Sequence, residues 1–390
     1  MDTIQEDRNI VCVKVNVAQN GFCSNKNNKE EAMNMARTTT QLPIPKHYDS
    51  ANAYKSSYDV VDILELQKQA IDWRQEQKLK HVGSDPIKIH LLVIDVQHDF
   101  SFPEGSLYVG GRSGSGAMDD HDRLARFIYR YLHLITEITC TMDTHLPYQI
   151  FHPIAHLRED GGHPTPMTII SAEDYRRGKY RPNPVMAYQI GVDPVWLQNQ
   201  FSYYCEQLEA SGKYQLTIWP YHCLLGSSGH SLVGVIQEAR LFHSFARGAA
   251  NKPEIKGNNP LTEHYSIFEP EVMTLYNGEP IPHATKNHDL FNTLLNSDMV
   301  IITGQAKSHC LVWTIENLIN EIFARYRMLA QKVYILEDCS SPVVVPGVVD
   351  FTDVADRAFQ RFANAGINLV KSTDSIETWP GAGAKIKKLL

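Results

Sequence analysis

Three kinds of reactive side chain stand where apolar runs of this sequence end. Residues 91–100 read LLVIDVQHDF, so an apolar stretch gives way to the carboxylate of Asp95. Such a carboxylate can act as a general base, or it can simply cap the following turn. Residues 299–310 (MVIITGQAKSHC) run through a glycine turn to Cys310. A cysteine opening a helix has its thiol pKa lowered there, and the backbone N–H groups around it can hold an oxyanion. Otherwise a free cysteine is a small buried hydrophobe. His309 is a poor partner for that thiol, because neighbouring side chains diverge. The third signal is Asp143-Thr144-His145, joined by His222 of the run WPYH. Residues i and i+2 of a strand face the same way, so Asp143 and His145 can share a cation that His222 closes off. One Asp and two His suit Zn²⁺ above all, and also Fe²⁺ or Mn²⁺, with positions left for water or substrate. The chain has 17 histidines, which makes chance pairs common. His152, His156 and His163 are further candidate ligands whose alternative is a place on a loop surface.

These residues need a scaffold, and the periodicity supplies one. Strands are expected at 88–95, 137–142, 214–218, 299–304 and 332–338, and helices at 119–136, 308–325 and 350–365. Repeated strand–helix units imply an α/β fold: a three-layer αβα arrangement around a central parallel sheet. In such sheets the active site lies at the carboxyl ends of the strands. Residues 1–84 read as an N-terminal extension with a weakly alternating stretch at 10–17 and a polar stretch at 25–40. A helical stripe follows at 59–81, carried by Val60, Ile63, Leu64, Ile71 and Trp73. Residues 85–390 form the main domain, interrupted by a Pro-, Tyr- and His-rich insertion at 146–213 with little periodicity. A loop of that length is usually functional or hides an unrecognised element.

Composition narrows the function classes. With 43% hydrophobic and 21% charged residues over 390 positions, the chain is an ordinary globular one. A net charge of -7 argues against a nucleic-acid partner. No apolar run approaches a membrane helix, and the first residues lack the features of a signal peptide. Seven scattered cysteines without a CxxC indicate a reduced, cytoplasmic chain. The stretch 110–116 (GGRSGSG) lacks the Lys-Ser/Thr of a P-loop.

Together the motifs resemble the isochorismatase-like cysteine hydrolases, and within them the nicotinamidases. The matching runs are LLVIDVQHDF (91–100), TMDTH (141–145), WPYHCLLGSSG (219–229), IKGNNPLTEHYSIF (255–268) and TGQAKSHC (303–310), all in the family's order. The similarity spans about residues 86–375. It implies Cys310 as nucleophile, Asp95 as base and Lys256 as third member of the triad, with Ala306 and Cys310 giving the oxyanion hole. It also implies a metal, usually zinc, on Asp143, His145 and His222, which in nicotinamidases holds the pyridine nitrogen of the substrate. A cis peptide is implied at Gln305–Ala306. The activity implied is hydrolysis of a small amide through a thioester, first of all nicotinamide to nicotinate and ammonia, a step of NAD metabolism.

The sequence departs from the family at Thr144, Leu146, Pro147-Tyr148-Gln149 and Ser308. His152 is the candidate to replace a ligand missing from 147–149. Phe100 and Trp313 are candidate aromatic walls for the substrate, with a core position as the alternative. The insertion leaves directly from the metal ligands and is expected to build one wall of the pocket. Other readings are hydrolysis of another amide, a ureido compound or a vinyl ether, or a non-catalytic scaffold whose arm and insertion serve protein contacts. A homo-oligomer is compatible with all of them. The enzyme readings fail together unless Asp95, Lys256 and Cys310 converge.

Overall fold

The computed structural model describes residues 41–387. The stretches at 10–17 and 25–40 lie outside the described residues.

Six parallel strands form the centre. They are β1 (Ile89–Ile94), β2 (Glu137–Asp143), β3 (Glu254–Lys256), β4 (Met299–Gly304), β5 (Val333–Leu336) and β6 (Asn368–Val370). Their order across the sheet is β6-β5-β4-β1-β2-β3, with every pairing parallel. The first, fourth and fifth strands are buried along their whole length and mostly apolar, because both of their faces are covered. Leu92, Ile94, Val300, Ile302, Val333 and Ile335 enter one core. Ile89, Leu91, Val93, Met299, Ile301, Tyr334 and Leu336 enter the other. Alternate side chains of one strand therefore feed two layers of helices.

Helices α2 (Gly116–Arg130) and α4 (Gly234–Arg247) cover one face, joined by α1 (Ile63–Glu76). On the other face lie α3 (Pro194–Ser211), α5 (His288–Asn296), α6 (Cys310–Arg325) and α7 (Thr352–Asn364). This is the expected three-layer αβα fold. Among the described residues no helix is long and apolar enough to cross a membrane.

Three expectations need correction. Residues 214–218 do not join the central sheet; Leu216–Thr217 pairs antiparallel with Ile169–Ile170 in a separate two-stranded sheet. Two sheet strands, β3 and β6, are only three residues long and leave no readable pattern. The insertion is not a structureless loop. Its helix α3 starts at the capping side chain of Asp193 with Pro194 in the first turn and stops at Gly212. Leu197, Phe201, Tyr204, Cys205 and Leu208 recur at helical spacing and are buried in the core shared with β1 and α6.

Of the stripe assigned to α1, Val60 and Trp73 pack against the core, but the other three residues do not. Leu66 and Ala70 are buried, and the helix rests on α4. Ile63, Leu64 and Ile71 are exposed. The chain before α1 crosses the outside of α2 and α4. Leu42 N–H donates to Arg130 O, the Tyr48 and Ser50 hydroxyls donate to Asp122, and the Tyr58 hydroxyl donates to Glu238.

Candidate active site

The register of the sheet brings the reactive side chains to one edge. Gly304 pairs with Ile94 and Lys256 pairs with Asp143, so β1, β2, β3 and β4 end side by side. Asp95, Asp143, Lys256 and the turn after Gly304 sit at those carboxyl ends. Gly304 has φ +120°, and a Cβ there would come within 2.1 Å of Ile94 O; only glycine lets β4 end this close to β1. The chain then turns through Gln305–Ala306, whose peptide bond is cis, and enters α6 at Cys310.

Lys256 is the hub. Its Nζ lies 3.0 Å from Asp95 Oδ2 and 2.9 Å from Asp143 Oδ1. It donates to His264 O at 2.8 Å and to Cys310 Sγ at 3.7 Å. Burial alone would lower the lysine pKa, but Asp143 and Asp95 hold it well above the ordinary value, so the ammonium stays charged. Burial pushes Asp95 up, and the charge of Lys256 pulls it back. The Thr141 hydroxyl accepts from Asp95 N–H at 3.0 Å and donates to Asp95 Oδ1 at 2.5 Å, which fixes the carboxylate. Burial holds the Cys310 thiol well above its ordinary pKa, against the pull of Lys256. Burial thus raises both acids, Asp95 and the Cys310 thiol, while the charge of Lys256 draws both down. The ligand atoms of Asp95, Asp143 and Cys310 lie within 4.8 Å of one another.

The second cluster shares Asp143. Asp143, His145 and His222 place their ligand atoms within 4.8 Å of one another. His145 Nδ1 donates to Gly257 O at 3.0 Å and His222 Nδ1 donates to Pro220 O at 2.8 Å. Carbonyls only accept, so both protons sit on Nδ1 and both Nε2 lone pairs are presented inward. His145 Nε2 is 2.9 Å and His222 Nε2 3.8 Å from Asp143 Oδ2. With both rings so turned, the three groups make a donor set that suits zinc. Burial raises the Asp143 pKa, but its surroundings, with the Lys256 ammonium at 2.9 Å, hold it below the usual carboxylate range. Gly257, with φ +88°, passes so near that a Cβ would meet Asp143 Oδ1 at 2.4 Å. His152 lies beside this cluster, its ring 5.8 Å from His145 and 6.1 Å from His222, but it is outside the group of three. Its Nδ1 is turned to Leu146 O and Pro147 O.

A cavity of about 30 Å³ joins the two clusters, with Cys310 and Ala306 on one side and Asp143 and His222 on another. Phe100, Leu107, Val109 and Val343 give it apolar walls, and Trp219, Glu263, Tyr265 and His309 complete it. Trp313 does not line it; that ring packs edge-on against Tyr214 at 5.6 Å. Besides Phe100, which lines the cavity as expected, the aromatic wall comes from Trp219 and Tyr265, linked by Trp219 Nε1 donating to the Tyr265 hydroxyl at 3.1 Å. No residue of 146–213 lines the cavity, because the insertion turns away to pack on α6. A larger cavity of about 410 Å³ between Trp196, Leu275 and Ile281 contains none of these reactive groups.

The chain is similar in structure to nicotinamidases and pyrazinamidases. For a nicotinamidase/pyrazinamidase of Acinetobacter baumanii the identity is 17% over 74% of this chain and 98% of that one, with a TM-score of 0.45. The yeast nicotinamidase is 19% identical over 72% of this chain and 99% of its own, with a TM-score of 0.45. A pyrazinamidase of Pyrococcus horikoshii, in complex with zinc, is 16% identical over 73% and 99%, at a TM-score of 0.39. No family model and no curated protein matches the chain.

Three contributors were missed in the sequence. Thr141 stands two residues before Asp143 on β2 and shares its face, a spacing that could have revealed it. Trp219 and Glu263 lie inside runs quoted for other residues. Glu263 is buried, and burial raises its pKa well above the ordinary value despite a hydrogen bond with Tyr265. Burial thus favours its protonated form in the cavity wall.

Proposed function

We propose that this protein is a cysteine amidase that hydrolyses a small amide, with Cys310 as nucleophile, Asp95 as base and Lys256 as their common counter-charge. The observation that carries this reading is the meeting of the three side chains on Lys256 Nζ, at 3.0 Å from Asp95 and 3.7 Å from Cys310.

The thiol proton passes to Asp95, and the ammonium of Lys256 stabilises the thiolate that is left. The thiolate attacks the amide carbon, and the carbonyl electron pair becomes an oxyanion received by the backbone N–H groups of Ala306 and Cys310. Protonated Asp95 gives its proton to the leaving nitrogen, the C–N bond breaks, and an acyl thioester remains on Cys310. Asp95 then takes a proton from water, whose oxygen attacks the thioester carbon; the C–S bond breaks, a carboxylic acid leaves, and Asp95 returns the proton to the Cys310 thiolate. Asp143, His145 and His222 would hold a zinc ion, which when bound supplies an electrophilic anchor for a lone pair of the substrate. Phe100, Trp219 and Tyr265 exclude water from the reacting carbon.

Nicotinamide is the first substrate to test, since a ring nitrogen gives the lone pair that such an anchor takes. The cavity of about 30 Å³ has room for one or two waters. That favours as second reading a more compact aliphatic amide or ureido compound. Purified protein is incubated with nicotinamide and, separately, with small aliphatic amides, and ammonia release is measured with the metal content. Release by wild type and none by Cys310→Ala supports the amidase. Release from aliphatic amides alone would transfer the assignment to the second reading, and no release from any amide with metal bound would sink both.

A further inference from the structure

A buried polar cluster that no step above uses holds the segment carrying Ala306. Gln305 is fully buried, and its backbone N–H donates to Ile94 O at 2.8 Å. Its Nε2 donates to Asp120 Oδ2 on α2 at 2.9 Å, and its Oε1 accepts from Ser341 N–H at 3.2 Å. The Ser341 hydroxyl donates to the same Asp120 oxygen at 2.7 Å, while Arg123 donates to the other at 2.7 Å. Ser341 O in turn accepts from Lys307 N–H at 2.8 Å. Gln305 and Lys307 flank Ala306, so both sides of that residue are tied to Ser341, whose hydroxyl and the Gln305 amide share one oxygen of Asp120.

The chemistry allows one arrangement. A glutamine amide can be turned end for end, but only Nε2 toward the carboxylate and Oε1 toward the Ser341 N–H pairs every group. Any other leaves buried donors or acceptors unmatched, which is costly in a site without water. The carboxylate thus dictates the orientation of Gln305, and Gln305 dictates the path of the chain into Ala306. Neither Asp120, Gln305 nor Ser341 lines the cavity.

We infer that Asp120, acting through Gln305 and Ser341, is a positioning residue that aims the Ala306 N–H at the developing oxyanion. This rests on the amidase reading above. Oxyanion stabilisation depends on donors fixed before the reaction, and small displacements are expensive in rate.

The test compares wild type with Asp120→Leu, Asp120→Asn and Gln305→Met in three assays. These are steady-state hydrolysis of an amide the wild type cleaves, inhibition by a small aldehyde, and alkylation of Cys310 by iodoacetamide. Adding the thiol to an aldehyde forms an S–C bond and turns the carbonyl pair into the same oxyanion, whereas alkylation expels iodide and forms none. For Asp120→Leu and Gln305→Met, kcat is expected to fall about 10- to 100-fold and aldehyde affinity by a similar factor. KM should stay within about three-fold and the alkylation rate should not change. Asp120→Asn keeps an acceptor for Gln305 and Ser341 and should recover most of the loss.

A merely structural role would lower alkylation and thermal midpoint together with kcat, and that pattern overturns the inference. So would wild-type kcat and aldehyde affinity in Gln305→Met, which decides the matter alone if Asp120→Leu does not fold. A wild type that neither cleaves amides nor binds aldehyde refutes the amidase reading itself, and the inference with it. An active wild type with unaffected variants refutes the inference only.

Discussion

At Lys256 one ammonium group meets two carboxylates, a carbonyl and a thiol, all within 3.7 Å. Its removal therefore has a readable signature. Asp95 must be ionised to accept the thiol proton, and burial raises its pKa above 3.8. Activity should fall as pH drops through a value above the ordinary carboxylate range. Lys256→Met deletes the charge that holds Asp95 down, so kcat/KM should fall and its acid limb should move to higher pH. The variant should also lose about 3–5 kcal/mol of stability, because two buried carboxylates keep no counter-charge. A pH–rate profile that kept its wild-type acid limb would show that Asp95 is not the base. Glu263 provides the contrast in the same cavity. Burial favours its protonated form, and a carboxylic acid and an amide are nearly isosteric, so Glu263→Gln should leave kcat within about three-fold of wild type. A loss like that of Cys310→Ala would mean that Glu263 works ionised.

At the scale of elements, the short strand β3 carries Lys256 and delivers Gly257 to Asp143 and His145, the proposed metal ligands. Gly257→Ala would drive a methyl group into Asp143 and His145 and force a left-handed φ on an alanine. Bound zinc per chain should fall well below that of wild type; an unchanged stoichiometry would show that the loop gives way and the ligands do not. Helix α3 has a different part. Phe201 is fully buried in the core shared with α6. Phe201→Ala should cost about 3–5 kcal/mol in urea unfolding while the folded fraction keeps its kcat, since no residue of the insertion lines the cavity.

These two elements also mark where sequence reading stopped. Asp95 and the Asp143/His145 pair were legible because each stands at the end of a strand, and Cys310 because it opens a helix one turn beyond the strongly apolar β4. Lys256 sits on a three-residue strand paired on one side only, and resemblance alone pointed to it. Helix α3 was missed although its buried positions recur at helical spacing, because Pro, Tyr and His around it suggested a loop. Trp313 was offered as a wall, yet being aromatic and near the nucleophile says nothing about which side of α6 a ring occupies.

For the whole molecule, the buried histidines should make stability depend on pH in the mildly acid range. Burial lowers His90, His156 and His243 to about 4. A histidine with a depressed native pKa binds fewer protons folded than unfolded between 4 and 6.5. Stability from such a group is complete above 6.5 and is lost as pH falls toward 4. His243 on α4 shows the cause in its bonds. Its Nε2 donates to Ile135 O at 2.9 Å, so Nδ1 must accept from Asn251 Nδ2, which is 2.8 Å away. Protonating Nδ1 would set two donors against each other, and the charge of Arg247 opposes it further. Asn251 also accepts Ile138 N–H at 2.9 Å, which anchors the chain just before β3 and hence before Lys256. Buried carboxyls such as Glu238, whose pKa burial raises, have the opposite slope, so the wild-type curve alone cannot isolate the histidine. His243→Gln can: the amide keeps one donor and one acceptor but does not titrate. At pH 7 the variant should be less stable than wild type. The gap should shrink by up to about 1.4 kcal/mol per pH unit below 6.5, as the wild type alone pays to keep the ring neutral. Urea unfolding of both proteins at pH 7, 6, 5 and 4.5 measures that gap, and one that stayed constant across the series would show that His243 takes up its proton without unfolding.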